Sequence, residues 1–371
     1  MVLFRIERTV FLIFFIKRQS LCTEVKRQSC ARKFLFLVHL KYICSMEQTE
    51  TDKMYMRRCL QLARCGRLTA RPNPMVGAVI VSEDGRIIGE GYHIRCGEGH
   101  AEVNAFASVK PQDGALLSKS TMYVSLEPCS HYGRTPPCAD LIVSKGVRRV
   151  VVGCVDPFAK VKGRGIQKLR DAGIEVTVGV LEKECLELNS RFMTFNTHSR
   201  PYVTLKWCQT ANGFIDDNFR PVALSTPFTK MLVHKLRAEN DAILVGSVTA
   251  ERDKPRLNVR LWAGRDPMRI VIDRNRPFAP EADFSKPIVP QLMKWLYGRG
   301  IQSLLVEGGA ETHRSFLAED GCWDELRVEI SPRTVSGGTA APQIPATAVL
   351  CDRKEYDGNV ILTYRQVRSR M

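Results

Sequence analysis

The chain has 371 residues, 44% hydrophobic and 25% charged, with thirteen scattered cysteines and a formal net charge of +16. That length and balance suit two soluble globular domains with their own cores and exclude a mainly disordered chain. The odd number and irregular spacing of the cysteines argue against a disulfide framework and for a reducing cytoplasm, so a cytoplasmic location is expected.

Residues 1–45 are unlike the rest. They hold nine Lys and Arg against Glu7 and Glu24, and so carry seven of the sixteen surplus charges. The remaining charge suits anionic small molecules and does not require a polynucleotide. The apolar runs Val10–Ile16 and Phe34–Val38 fall well short of the roughly twenty residues that span a bilayer, so no membrane anchor is expected. No small-residue cleavage site follows the first run. Met46 opens a polar lead into an amphipathic helix around Lys53–Arg67. The expectation is that Met46 is the true start and that 1–45 is a non-native or disordered extension.

From there to about Val180, helix and strand alternate. Met75–Val81 and Arg86–Gly91 read as strands around a Glu83-Asp84-Gly85 turn, His100–Val109 as a helix, and Met122–Leu126 and Arg149–Gly153 as buried strands. A helix at Gly165–Ala172 and a strand at Ile174–Val178 complete the pattern, which is that of a layered α/β domain. Within it stand His100-Ala101-Glu102, Pro128-Cys129 and Cys138. One imidazole and two thiolates make three protein ligands for Zn²⁺ and leave the fourth position for water. Glu102 is then the proton shuttle between the attacking water and the departing ammonia.

Eight residues separate the two cysteines, where nucleic-acid and free-nucleoside deaminases usually have two. The intervening loop must leave the metal and return to it. Thr135-Pro136 reads as a helix start that places Cys138 in a first turn. His131 and Arg134 are expected at the pocket rim, suited to an anionic or hydroxylated substrate.

Leu181–Thr197 reads as one connecting helix. Arg200-Pro201 marks a boundary, and Tyr202–Trp207 opens a second domain as a strand. Leu232–Glu239 is expected as a helix, and Ala242–Val245, Arg269–Ile272 and Ile301–Val306 as strands. The last ends in Glu307-Gly308-Gly309-Ala310 before a helix from Thr312. Strand, glycine pair and helix form either an ordinary tight turn or a phosphate cradle.

The segments LEPCSHYGRTPPC at 126–138, NPMVGAVIV at 73–81, GEGYH at 89–93 and HAEVNA at 100–105 resemble the bifunctional deaminase–reductase family of riboflavin biosynthesis. The resemblance runs from about Met54 to the C-terminus. It implies an N-terminal cytidine-deaminase-like α/β/α layered domain at 46–180, a connecting segment at 181–200, and a C-terminal dihydrofolate-reductase-like α/β domain at 201–371. The activities it implies are hydrolytic deamination of 2,5-diamino-6-(5-phosphoribosylamino)pyrimidin-4(3H)-one, then NADPH reduction of ribosyl to ribityl, giving 5-amino-6-(5-phosphoribitylamino)uracil.

Carried over by position, His100, Cys129 and Cys138 bind zinc, Glu102 is catalytic, and Asn73 contacts the pyrimidine. Lys206, Arg237, Leu257, Arg260 and Glu307 match substrate positions, the arginines suited to a phosphate. Cys208, Thr249, Asp253 and the run Gly308, Gly309, Ala310, Glu311 and Thr312 match NADPH positions. The expected partners are a small phosphorylated pyrimidine and further copies of the chain as a homo-oligomer, with no nucleic acid.

Two departures stand out. After Asp273 the chain reaches Pro287 without a strand the family usually has, so the second domain looks shortened near 274–285. Asn212 stands where the family often has Asp. Three readings compete with the bifunctional one. A deaminase with an inactive reductase-like scaffold would release ammonia without oxidising NADPH. A nucleic-acid base deaminase would want a two-residue cysteine spacing, and a structural zinc module would want four protein ligands.

Overall fold

The structure, a computed structural model, describes residues 48–132, 136–158 and 162–366. The expectations for residues 1–45, Met46, Arg134 and Thr135 lie outside the described residues. The chain divides into two compact units, Met1–Met54 and Tyr55–Met371. Of the first, residues 48–54 are described, and all are helical.

In the second unit, helix α1 (residues 55–65) buries Tyr55, Met56, Cys59, Leu60 and Ala63. Those positions repeat at helical spacing and form one apolar stripe. A five-stranded sheet follows, in the order β2-β1-β3-β4-β5. Its strands are β1 (Gly77–Val81), β2 (Ile87–Tyr92), β3 (Thr121–Leu126), β4 (Arg149–Cys154) and β5 (Glu175–Val178). β1 runs antiparallel to β2 and β3, while β3, β4 and β5 are parallel.

All five residues of β1 are buried, as a strand covered on both faces requires. One face packs on α2 (Ala101–Ala107), α3 (Cys138–Lys145) and α4 (Arg164–Asp171) through Ala105, Ile142 and Leu169. The other packs on α1 and on α5 (Glu182–Leu188) through Met56, Cys59 and Cys185. A 3₁₀ segment, Pro111–Lys119, links α2 to β3.

The single connecting helix expected over Leu181–Thr197 is two helices, α5 and α6 (Ser190–His198). Asn189 breaks it, with φ −104° and ψ 24°. The break frees the Asn189 side chain to accept from the Met75 N–H at 2.8 Å and donate to the Met75 carbonyl at 2.9 Å. An asparagine that bonds backbone elsewhere does not favour a helix interior.

The second sheet has seven strands in the order β11-β12-β10-β6-β9-β7-β8. They are β6 (Tyr202–Thr210), β7 (Ala242–Gly246), β8 (Met268–Ile272), β9 (Ser303–Val306), β10 (Glu325–Ser331), β11 (Ala348–Tyr356) and β12 (Asn359–Gln366). The run β10-β6-β9-β7-β8 is parallel, and the β11–β12 hairpin joins antiparallel to β10. Helices α7 (Pro227–Ala238), α8 (Ser247–Asp253), α9 (Ile288–Gly298) and α10 (Ala310–Ala318) connect these strands.

Leu205, Leu244, Leu292, Leu296, Phe316 and Trp323 form the centre of the larger core. Helix α7 begins five residues before the expected Leu232, because Thr226 caps it from Thr229 N–H and Pro227 fills the first turn. Asn212 brackets the neighbouring loop, donating to the Val335 carbonyl at 2.7 Å and accepting from its N–H.

No strand lies between β8 and α9; residues 273–287 run as bends and turns. Among the described residues β8 therefore has a sheet neighbour on one side only. Met268 and Val271 on it are 40% and 37% exposed. An edge strand of this kind presents unpaired ladder groups beside apolar side chains.

Candidate active sites

The topology gathers one end of the first sheet. β3 and β4 are parallel, so their C-terminal ends carry Glu127-Pro128-Cys129 and Asp156 to the same edge. Because β1 runs antiparallel to β3 and β2 antiparallel to β1, the start of β1 and the end of β2 reach that edge too. They bring Asn73 and His93. Ligand sites in open α/β sheets form at such edges.

His100 is the N-cap residue of α2, and Cys138 is the first residue of α3, after an extended Pro137. The helix start is thus two residues past the expected Thr135-Pro136 signal, yet Cys138 keeps its first-turn place. Cys129 Sγ lies 3.5 Å and Cys138 Sγ 3.3 Å from His100 Nδ1. All three ligand atoms lie within 4.8 Å of one another, and among the described residues no other trio of His, Cys, Asp or Glu is so placed. Tetrahedral zinc with ordinary Zn–S and Zn–N bonds would hold S and N about 3.5 Å apart. The donor set and its spacing fit zinc.

The Cys138 N–H donates to the Cys129 sulfur at 3.3 Å, which favours its thiolate. Hydrogen bonding with the Cys138 thiol, then with His100, brings Cys129 down to about 4. His100 is raised, chiefly by its hydrogen bond with Cys129. Glu102 is 3% exposed; burial, then the Cys129 charge, lifts it from 4.5 to about 7. A divalent ion in the triad would draw it back down. The carboxylate form that the ion favours is the one able to take a proton from the attacking water, the property a shuttle needs.

Asn73 Nδ2 lies 3.1 Å from His93 Nε2, and the His93 ring meets that of His100 edge-on at 5.3 Å. Burial lowers the pKa of His93. Asp156 is raised by burial to about 6, with Cys129 and His131 among the charges acting on it. Sequence reasoning gave His93 and Asp156 no role. His93 stands inside a quoted motif, and Asp156 follows a parallel strand at its ligand-facing end; those were the available signals. His131 is exposed, as a rim residue would be.

Glu127 was also overlooked. Its carboxylate accepts from the N–H groups of Asp156, Gly163, Gly165 and Ile166 at 2.9–3.3 Å. It ties the start of α4 to the strand end that carries Cys129. A Cβ at Gly165 would come within 2.0 Å of the Pro128 carbonyl, so only glycine allows this approach.

In the second sheet the parallel strands again present their C-terminal ends together. β7 runs into α8 through Gly246, and β9 into α10 through Glu307-Gly308-Gly309. Neither Gly246 nor Gly309, the two N-cap residues, supplies a capping side chain. The first-turn amides of both helices are thus left for another acceptor. A Cβ at Gly246 or at Gly308 would come within 2.6 Å of the Thr312 side chain, and one at Gly309 within 3.4 Å of Thr249 Oγ1. Ala310, Glu311 and Thr312 form the first turn of α10. Bare backbone between two uncapped helix starts fits a dinucleotide pyrophosphate. Asp253 lies at the end of α8, exposed at the surface.

Lys206 and Cys208 lie two apart on β6, on one face of the sheet and half-buried, and burial raises the Cys208 thiol to about 11. Arg237 and Glu307 form a closed pair: Nη2 donates to Oε2 at 2.6 Å and Nε to Oε1 at 3.0 Å, both side chains 11% exposed. Arg237 Nη1 donates to the Asn258 carbonyl, and Arg260 Nη1 to Asn258 Oδ1. Of the two arginines expected at a phosphate, the Arg237 fork is engaged by Glu307, while Arg260 is exposed. Leu257 is buried in a cluster with Leu236 of α7, Val245 of β7 and Leu305 of β9, with a positive φ of 51°.

Comparison with known proteins agrees with both halves. Residues 49–154 match the cytidine and deoxycytidylate deaminase zinc-binding region, and residues 201–355 the RibD C-terminal domain. The riboflavin biosynthesis protein RibD of Aquifex aeolicus is 39% identical over 323 residues, covering 78% of this chain and 89% of the relative. This chain belongs to the RibD family. RibD of Escherichia coli is 35% identical, covering 82% of this chain and 94% of the relative.

A solved deaminase/reductase from Thermotoga maritima superposes with a TM-score of 0.77 at 33% identity, covering 86% of this chain and 100% of that one. Acinetobacter baumannii RibD gives 0.74 at 30% identity, with the same coverage. Like other RibD proteins, the chain joins a cytidine-deaminase-like domain to a dihydrofolate-reductase-like one, with zinc the cofactor of the first and NADPH of the second. Among the described residues no helix is long and apolar enough to cross a membrane.

Proposed function

We propose that this chain performs two successive steps of riboflavin biosynthesis: hydrolytic deamination of the diaminopyrimidine ribotide, then NADPH-dependent reduction of its ribosyl group to ribityl. The solved Thermotoga relative is described as a diaminohydroxyphosphoribosylaminopyrimidine deaminase and 5-amino-6-(5-phosphoribosylamino)uracil reductase. The observation that carries the first step is the convergence of His100, Cys129 and Cys138 beside buried Glu102.

Zinc held there would supply a water acidic enough to attack at neutral pH. Glu102 takes a proton from the nucleophile and returns it to the leaving amino group, which departs as ammonia. Asn73, braced by His93, orients the pyrimidine, and Asp156 with His131 lines the mouth. The Cys138 N–H and the start of α3 hold negative charge on Cys129.

NADPH would supply the hydride for the second step. The amides opening α8 and α10 bind its pyrophosphate, and Thr249 and Thr312 border that cradle. Lys206 lies in the sheet face behind the sugar, and Arg260 is the exposed cation for the ribose phosphate. Arg237 holds Glu307 in place for the substrate's polar groups. Two ligands that must stay thiolates suit a reducing compartment, so the proposed location is the cytoplasm, with the chain assembled as a homo-oligomer.

The test is one cuvette containing zinc-loaded protein, the diaminopyrimidine ribotide and NADPH, with ammonia release and NADPH oxidation followed together. Matching amounts of both are expected. Ammonia without oxidation would reduce the second domain to a scaffold, and no ammonia would overturn the deaminase assignment.

A further inference from the structure

The turn that carries Asn73 is braced by residues far along the chain. Within the first domain, the Asn73 N–H donates to the Ala70 carbonyl at 3.0 Å, and the Cys96 N–H to the Thr69 carbonyl at 3.2 Å. Between these anchors, Arg71 and Pro72 reach the reductase domain. Arg71 Nη1 donates to Asp241 Oδ1 at 2.9 Å and Nη2 to the Ala238 carbonyl at 2.8 Å. The two side chains are 14% and 22% exposed. Gln302 Nε2 donates to the Pro72 carbonyl at 2.9 Å. Arg67 and Glu239 add a looser pair at 3.4 Å.

Asp241 is itself held. Its Oδ2 accepts from the Gln302 N–H at 3.1 Å and the Ser303 hydroxyl at 3.0 Å, where β9 begins. A two-pronged guanidinium contact with few degrees of freedom transmits position better than a single flexible charge. These contacts fall at the N-terminal ends of β7 and β9, whereas the glycine cradle lies at their C-terminal ends.

We infer that the reductase domain sets the substrate-binding turn of the deaminase: Arg71 with Asp241, and Gln302 with Pro72, are positioning residues for the deamination. The inference rests on the reading of Asn73 as a pyrimidine contact. Two residues beyond Asn73, the Asn189 bonds to Met75 close the far side of the same turn. With the reductase-side bonds gone, Asn73 keeps its His93 neighbour but loses the fixed backbone beneath it. Substrate binding then suffers, while the zinc ligands and Glu102, which sit on other elements, do not.

The experiment uses the full chain, zinc-loaded, as Arg71→Met, Arg71→Lys, Asp241→Asn, Gln302→Leu and the Arg71→Met/Asp241→Asn double variant. Initial ammonia release gives kcat and KM, metal analysis gives zinc, and NADPH oxidation on the deaminated substrate gives the reductase rate. In Arg71→Met the deaminase KM should rise about tenfold with kcat, zinc and reductase rate unchanged, since binding is lost but chemistry is not. Arg71→Lys should recover part of the loss, and the double variant should be no worse than the worse single one.

Asp241→Asn also touches β9. If that variant fails to fold, Arg71→Met and Gln302→Leu decide the question. Unchanged KM in both would overturn the inference, as would kcat and zinc falling in step with binding. A wild-type protein that releases no ammonia would instead refute the deaminase reading itself.

Discussion

The two candidate sites are built on different principles. In the deaminase half, three ligand atoms and one carboxyl are placed by the start of α2, the first turn of α3 and the end of β3. Little must move before zinc can bind. In the reductase half, what is preformed is absence: glycines without Cβ atoms and helix starts without caps. Two of its polar side chains, Arg237 and Glu307, satisfy each other. A metal site states its chemistry through residue types, whereas a cofactor cradle states it through backbone that has been kept clear.

The sharpest way to break this comparison is at the metal. Glu102→Gln should lower deaminase kcat by about 10²–10⁴-fold while zinc content and NADPH oxidation on the deaminated substrate persist. Removing zinc with a chelator should likewise stop ammonia release and spare the second activity; loss of both would mean that the two halves are not chemically separate. In the cradle, Gly308→Val places atoms where Thr312 already sits. NADPH binding should weaken by about tenfold or more in a fluorescence titration, at unchanged deaminase rate.

Smaller effects concern stability. Arg200 grips Asp324 through two bonds of 2.7 and 2.8 Å, and both side chains are buried. Arg200→Met strands that carboxylate, and denaturant titration should show a loss of about 3–5 kcal/mol. Thr226→Ala removes the α7 cap and should cost about 1 kcal/mol by the same titration.

Much of the fold was legible because buried strands such as Ala242–Val245 are continuous apolar runs next to turn residues. The β11–β12 hairpin was not. β11 is exposed along nearly its whole length and carries Asp352, Arg353, Lys354 and Glu355 in a row. It is a strand because the β12 ladder pairs it, not because its sequence alternates. The Asn189 break was hidden for a similar reason, since its partner Met75 is 114 positions away.

At the first site, the zinc triad and Glu102 could be read from residue type and order. His93, Asp156 and Glu127 could not, because their roles come from which strand ends share an edge. At the second, Arg237 and Glu307 were each assigned to substrate, and only the fold shows that they hold one another.

The edge of β8 that no strand pairs with among the described residues also bears on colloidal behaviour. Alternate residues of β8 turn ladder groups to that edge, where a second strand could pair with them, and Met268 and Val271 add apolar surface. Around that edge the exposed Arg265, Arg269, Arg274 and Arg276 outnumber Asp266 and Asp273, with Arg269 3.8 Å from Asp266. Two such rims repel one another while their field reaches across the gap. Salt shortens that reach to about 8 Å at physiological strength and about 3 Å at molar strength. The arginine rim thus acts as a gatekeeper whose protection weakens with ionic strength, so concentrated stocks should stay clearer in dilute buffer than in high salt.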